Sequence, residues 1–171
     1  MYTRWSPELI KLTDAASGAR TINLDSLDYR IFAGPYQEAL ASIAPQIDDI
    51  IEKGNLQKHS KKSTASLFKV GADVFFGKHV RFHQKAFGLR FRYFIQPSRS
   101  FWTAVVAKRL EDAGLGTPKV YAMGERRTCQ LISDSYIITE ALKNAHTASS
   151  ALRAQPNNFD LLEAAGRLLR L

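Results

Sequence analysis

The stretch DVFFGKHV, residues 73–80, decides the fold that we expect for this chain. Its apolar composition is typical of a buried β-strand, and it carries one basic side chain, Lys78. A lysine among apolar neighbours is costly unless an anionic partner, a carboxylate or a phosphate, lies beside it. Alternatively, its aliphatic stem carries the ammonium group out to solvent. The function of the chain therefore depends on what Lys78 contacts.

The composition is that of an ordinary globular protein, with 45% hydrophobic and 23% charged residues among 171. The sequence contains no apolar run of the roughly 18 residues that cross a membrane. Its beginning has neither the basic-then-apolar order nor the cleavage site of a secretion signal, so we expect a cytoplasmic protein. The single cysteine, Cys129, excludes an internal disulfide, and the four histidines show no metal-ligand spacing. We expect no metal site.

The net charge is +8, from 24 basic and 16 acidic residues. Such an excess indicates a polyanionic partner. Nucleic acid, an anionic membrane surface, a nucleotide and a phosphorylated glycan all satisfy this condition.

Residues 1–55 precede the strand-rich part of the chain. Residues 1–34 are expected to form loops with one or two short strands. From residue 36 to residue 53, apolar side chains recur at helical spacing, and Gly54 follows as a stop signal. Pro45 is expected to kink or divide this helix.

Three short strands are expected next, at residues 56–59, 65–70 and 73–80, and the third contains Lys78. A polar, basic turn joins the first two. A helix then begins after Pro97-Ser98 and ends at Gly114. The remaining expected elements are strands at residues 120–123, 129–132 and 135–140, and a last helix that begins at Asn158.

Residues 81–94, RFHQKAFGLRFRYF, interleave basic and aromatic side chains. Such a segment can bind nucleic acid by phosphate contact and stacking, or lie against a lipid headgroup layer. It can also be a connector whose aromatic side chains pack into the core. The basic residues that we assign to an anionic surface or substrate are Arg81, Lys85, Arg90 and Arg92.

Five segments in order give the chain a resemblance to a known family. They are VFFGKH (74–79), SRSFW (98–102), LEDAGLGTP (110–118), AMGERR (122–127) and SYIITEAL (135–142). In this order and spacing, residues 56–171 resemble the lipopolysaccharide kinase family, which has a protein-kinase-like fold and phosphorylates Kdo or heptose sugars of the inner core. The match covers the small lobe and the start of the large lobe.

The resemblance implies that ATP is the cofactor and that Lys78 holds its α- and β-phosphates. It also implies a hinge after the last strand, whose backbone contacts the adenine edge, and a turn that lies over the phosphates. The hinge residues are Glu140, Ala141 and Leu142. The turn residues are Ser60, Lys61, Lys62 and Ser63. The basic and aromatic segment would then face the core sugar or the inner-leaflet membrane surface.

Three features depart from the kinase pattern. The resemblance places Phe101 at the helix position that supplies a glutamate to the lysine in protein kinases, and it places Phe76 where a smaller residue usually contacts adenine. No HxD or HGD segment and no metal-binding aspartate follows Glu140. We therefore assign no catalytic residue, and we expect Mg²⁺ only with the missing lobe and no phosphotransfer by this chain alone.

The expected fold class is α+β. It comprises a kinase-like small lobe at residues 56–142 with an antiparallel sheet of about five strands and one helix. An N-terminal helical extension occupies residues 1–55, and an incomplete large lobe occupies residues 143–171. The alternative function is a non-catalytic, pseudokinase-like module that binds an anionic membrane or a protein partner. Nucleic acid is not expected as a partner, because no RNA- or DNA-binding signature is visible.

Overall fold

The computed structural model describes residues 18–24, 26–82, 92–94 and 96–142. Residues 1–141 belong to one compact unit and residues 142–171 to a second, of which only Leu142 lies within those ranges. Four sequence-based predictions fall outside the described residues: Lys85, Arg90, the helix expected from Asn158 and the start of a large lobe. None of the described helices is long and apolar enough to cross a membrane.

One antiparallel sheet of seven strands organises the described residues. In chain order the strands are β1 (Arg20–Leu24), β2 (Leu27–Ile31), β3 (Asn55–Ser60), β4 (Ser63–Val70), β5 (Asp73–Arg81), β6 (Val120–Thr128) and β7 (Leu131–Glu140). Across the sheet their order is β1-β2-β6-β7-β5-β4-β3. The predicted α+β class with an antiparallel sheet is confirmed.

About five strands were expected for residues 56–142, and β3 to β7 lie at Asn55–Glu140. The sheet is larger than that lobe because a hairpin of β1 and β2 extends it beyond β6. Leu27 lies opposite Arg126, and Ile31 lies opposite Ala122. Leu27, Tyr29 and Ile31 alternate with half-buried residues, which is the pattern of a strand covered on one face. The short strands expected before residue 35 are therefore part of the main sheet.

The turn between β6 and β7 corrects a second prediction. Residues 129–132 were expected to begin a separate strand, but Cys129 and Gln130 form a tight turn with positive φ angles of 49° and 65°. Two central residues with positive φ are the signature of the type I′ turn, which Asn-Gly usually occupies. Because Cys-Gln lacks the Asn-Gly pattern, the turn could not be predicted from the sequence. The two strands that it joins, β6 and β7, form one long hairpin and have nine and ten residues.

The predicted helix at residues 36–53 is present and is divided at Pro45, as expected. It consists of α1 (Gln37–Ile43), a 3₁₀ turn (Ala44–Gln46) and α2 (Ile47–Lys53). The helix predicted after Pro97 is α3 (Arg99–Asp112). It connects β5 to β6, and the hydroxyl of Ser98 caps it by accepting a bond from the Phe101 N–H.

The two faces of the sheet carry different helices. The side chains of β2, β4, β5 and β7 that pack with α1 and α2 form the main core, and we call this side the α2 face. Its largest buried members are Tyr29, Leu40, Ile47, Ile51, Phe75, Tyr136 and Ile138. On the opposite side, the α3 face, Phe101, Ala104 and Val105 of α3 pack against Met123 of β6.

Gly77 marks the closest approach of α2 to the sheet. A Cβ atom at this position would lie 2.6 Å from a ring carbon of Phe68 and 2.9 Å from Cγ1 of Ile51. Only a residue without a side chain leaves room for Ile51 there. Gly77 therefore sets the depth of α2 packing, one residue before Lys78.

Candidate functional site

Lys78 lies on the α3 face, in the middle of the sheet. It is directly opposite Ala65 of β4 and Ile137 of β7, and both of these neighbours are buried. The Lys78 side chain is exposed, and among the described residues it has no hydrogen bond or ion pair. Its positive charge is therefore available to an anionic ligand on this face.

Lys58 adds a second positive charge to the same row, and sequence reasoning missed it. Lys58 pairs with Ala65, which in turn pairs with Lys78, so all three side chains project from the α3 face. Two strand spacings separate the lysine backbones, which is about 10 Å. The exposed side chain of Lys58 can approach the same ligand as Lys78. This register follows from the pairing of Ser60 with Ser63 across the hairpin, which no local pattern in the sequence specifies.

The turn predicted to cover phosphates is a two-residue hairpin between Ser60 and Ser63. The Ser60 hydroxyl accepts a bond from the Ser63 N–H and donates one to the Ser63 carbonyl, each at 3.1 Å. These contacts stabilise the turn and occupy the Ser60 side chain. Lys61 and Lys62 at its tip are exposed. Ser63 lies two residues along β4 from Ala65, so the tip is about 7 Å or more beyond Lys78.

The predicted hinge residues lie toward the other end of the same strands. Ile137 is opposite Lys78, and Glu140 follows three residues later, about 10 Å along β7. The Glu140 N–H donates to the Lys119 carbonyl at 2.8 Å, and the Glu140 side chain is exposed. Ala141 is half-buried and Leu142 is exposed.

Phe76 occupies the space between the lysine and the hinge. It lies on the α3 face, opposite Leu67 and Thr139, and is half-buried. An aromatic ring here narrows the surface available to a flat ligand, and it can also stack on one.

The first turn of α3 contains no acidic residue, so it offers no carboxylate to Lys78. Phe101 is buried against Met123, which lies in the same cross-strand row as Lys78 and Ile137. The buried acidic residue on this side of the sheet is Glu125, but its carboxylate is bound to Arg127, with Arg127 Nε at 2.8 Å. Lys78 therefore lacks a carboxylate partner within the described part of the chain.

Of the four residues predicted for an anionic surface, the structure describes Arg81 and Arg92, and these two have different surroundings. Arg81 lies on the α2 face, where it is ion-paired with Glu52 of α2 and donates to the Thr64 hydroxyl at 3.0 Å. Arg92 is exposed, and its Nε donates to Gln96 at 2.6 Å. Lys85 and Arg90 lie outside the described residues.

A buried polar cluster holds α2 to the sheet beside Arg81. His79 Nε2 lies 2.9 Å from Asp134 Oδ1, its ring stacks on Tyr136, and its Nδ1 lies 3.7 Å from Glu52. Arg126 is ion-paired with Asp48 of α2 at 2.7 Å. Among the ranges that the structure describes, no group of three His, Cys, Asp or Glu side chains is suited to a metal ion. The residues of this cluster form tertiary contacts between α2 and the sheet.

The pKa of Asp134 is lowered in this cluster. Burial opposes the charged form, but the hydrogen bond from His79 and the nearby charge of Arg126 outweigh it. A carboxylate with a lowered pKa in the folded state contributes stability above its unfolded pKa of about 3.9, and that contribution is lost as the pH falls through the folded pKa.

The substitution Asp134→Asn is therefore expected to reduce stability near neutral pH and to have a shrinking effect as the solution becomes more acidic than about pH 4. Urea unfolding, followed by circular dichroism over a pH series, measures this dependence. Asp49→Asn is the matched control, because Asp49 forms only an exposed pair with Lys53. Parallel stability curves for wild type and Asp134→Asn at all pH values would contradict the prediction.

The described residues thus form an α+β unit with an unpaired lysine on the α3 face of an antiparallel sheet. No protein-family model matches the chain, and no curated protein matches it. One similar solved structure is WaaP in complex with acyl carrier protein, with 19% sequence identity and a TM-score of 0.42. The match covers 72% of this chain and 41% of that one.

Proposed function

We propose that this chain contains the nucleotide-binding lobe of a kinase-like protein and that ATP binds on the α3 face of its sheet. The observation that carries the proposal is the position of Lys78. It lies on β5, the middle strand of the order β3-β4-β5-β7-β6, and α3 connects β5 to β6. Strands followed by a connecting helix and two further strands are also what the resemblance to the lipopolysaccharide kinase family implies for a small lobe.

The distribution of charge along the α3 face supports this orientation of a nucleotide. Lys58 and Lys78 share one cross-strand row, and Lys61 and Lys62 lie at the adjacent hairpin tip. A triphosphate at this end of the sheet would meet several ammonium groups, each acting as a point charge. Lysine side chains, rather than serine hydroxyls, would hold the phosphates, because the Ser60 hydroxyl is occupied within the turn.

The other end of the α3 face, near Ala141, suits the adenine base of ATP. Phe76 and Leu67 offer apolar contact, and the backbone of Ala141 follows the last strand as a source of hydrogen bonds. An extended nucleotide would therefore span from the hinge to the β3–β4 hairpin and pass Lys78.

The reaction that we propose for the whole protein is ATP-dependent phosphorylation of a sugar hydroxyl in the lipopolysaccharide core. Phosphoryl transfer needs a positioned acceptor, a base and metal ions that neutralise charge on the transferred group. Lys78 would position the α- and β-phosphates. We assign the base and the Mg²⁺ ligands to a large lobe, as the resemblance to the lipopolysaccharide kinase family implies.

Removal of the Lys78 charge tests the proposal. A charge-assisted hydrogen bond contributes about 1.5–3 kcal/mol, so Lys78→Met is expected to weaken ATP binding about tenfold to a hundredfold. Titration of the purified chain with a fluorescent ATP analogue gives the dissociation constant. Lys58→Met should weaken binding by a smaller factor, because Lys58 lies on the outermost strand.

The matched control is Lys53→Met. It removes an equal charge from the last residue of α2, where Lys53 forms an exposed pair with Asp49. This variant should bind ATP as the wild type does. Equal affinities for wild type and Lys78→Met would refute the role of Lys78. Failure of the folded wild-type chain to bind ATP would favour a non-catalytic module that does not use nucleotide.

A further inference from the structure

A second basic site lies beside α3, apart from the Lys78 row. Residues 92, 93, 96 and 97 and the start of α3 line an open cleft of about 400 Å³. Arg92 lies in one wall and Arg99 in the other, and both side chains are exposed. Among the described residues that line the cleft, two are arginines and none is acidic, so these side chains concentrate positive charge. Its volume is in the range of small-ligand sites.

One buried ion pair fixes both walls of this cleft. The Glu125 carboxylate accepts a bond from the Ser98 N–H at 2.7 Å, which holds the start of α3. Its partner Arg127 donates to the Tyr93 carbonyl at 2.8 Å, which holds the other wall. The Glu125 and Arg127 side chains are only 7% and 11% exposed. The pair therefore links Tyr93 to the start of α3 through two nearly buried side chains.

Aromatic side chains stand at the cleft and next to it. Trp102 lines the cleft and remains 37% exposed, and Phe94, which follows Tyr93 in the chain, is 38% exposed. The Tyr93 ring is anchored by an edge-on contact with buried Phe82, with 4.9 Å between ring centroids. Exposed aromatic groups next to arginines are the combination that proteins place at the membrane–water interface.

We propose that this cleft binds the phosphate headgroup of an anionic phospholipid and attaches the protein to a membrane surface. Arg92 and Arg99 would contact the phosphate oxygens, because the guanidinium fork matches phosphate geometry. Trp102 and Phe94 would enter the headgroup layer. A soluble phosphate ester would leave both of these aromatic side chains in water, whereas a bilayer surface accommodates them.

The proposal does not depend on nucleotide binding. It uses Arg92 and Phe94 together with Arg99 and Trp102 of α3. Lys78, Lys58 and the hinge take no part in it. ATP affinity and vesicle binding can therefore succeed or fail separately in the same purified protein.

Co-sedimentation with vesicles provides the test. The full chain is mixed with vesicles of phosphatidylcholine that contain phosphatidylglycerol, and with vesicles of phosphatidylcholine alone. We expect binding to the anionic vesicles, weakened by added salt, and little binding to the neutral ones. The double variant Arg92→Gln/Arg99→Gln should weaken the binding about 30-fold, from the loss of two basic groups near the surface. Trp102→Ala should weaken it by a smaller factor.

The charge-matched control is Lys69→Gln/Lys119→Gln, which removes two exposed lysines outside the cleft. Retention of vesicle binding by this control, with loss in the arginine variant, would support the cleft as the site. Equal losses in both double variants would overturn the proposal in favour of net charge. The proposal would also be overturned if the wild-type protein does not bind the anionic vesicles. Binding of glycerol 3-phosphate in solution to the cleft, without binding of vesicles, would overturn it as well.

Discussion

Replacement of Gly77 by alanine is expected to lower the free energy of unfolding by about 1–3 kcal/mol, and replacement by valine by more. The added Cβ would meet the ring of Phe68 at 2.6 Å and Ile51 of α2 at 2.9 Å. Both neighbours belong to the packed core, so neither can move without disturbing other contacts. The measurement is urea unfolding followed by circular dichroism.

Gly116→Ala is the matched control for this substitution. A Cβ at Gly116 meets no atom within 4 Å. Both substitutions lower the conformational freedom of the unfolded chain in the same way, so the difference between them reports crowding at α2. Similar stabilities for the two variants would show that α2 does not pack on β5 as closely as described.

The substitution Glu125→Ala is expected to cost about 3–5 kcal/mol of stability, the usual result of removing one member of a buried ion pair. The Arg127 guanidinium would keep its charge in a buried place, and the Ser98 N–H would lose its acceptor at the start of α3. Chemical unfolding at neutral pH measures the loss.

Two variants make this prediction specific. Glu111→Ala removes an exposed carboxylate paired with Lys108, and should cost about 0–1 kcal/mol. Glu125→Met/Arg127→Met removes both buried charges, and should be more stable than Glu125→Ala. A cost for Glu125→Ala no greater than that for Glu111→Ala would contradict the prediction.

Local signals in the sequence were sufficient to predict α1, α2 and α3. Apolar spacing and Gly54 defined the segment at residues 36–53, and Pro45 divided it where the 3₁₀ turn occurs. Ser98 capped α3 as its chemistry favours. These features depend on residues within a few positions of one another. A single sequence is therefore enough to predict where these helices begin, divide and end.

Features that depend on distant pairing were not predictable in the same way. The hairpin of β1 and β2 belongs to the sheet only through its contact with β6. The proximity of Lys58 to Lys78 requires the register of β3, β4 and β5, which is regular from the hairpin at Ser60 to Lys58. The pairing of Arg81 with Glu52 depends on where α2 packs, which no local pattern specifies.

The strand order also constrains how this protein can fold as it is synthesised. The β1–β2 hairpin is made first, but the strand that receives it, β6, is made only after β3, β4, β5 and α3. An isolated two-stranded hairpin is marginal in water, and its unpaired edge can join the wrong strand. The β1–β2 hairpin therefore cannot join the sheet until the β6–β7 hairpin has been synthesised. Contacts between segments so far apart in sequence slow folding and expose the nascent chain to aggregation.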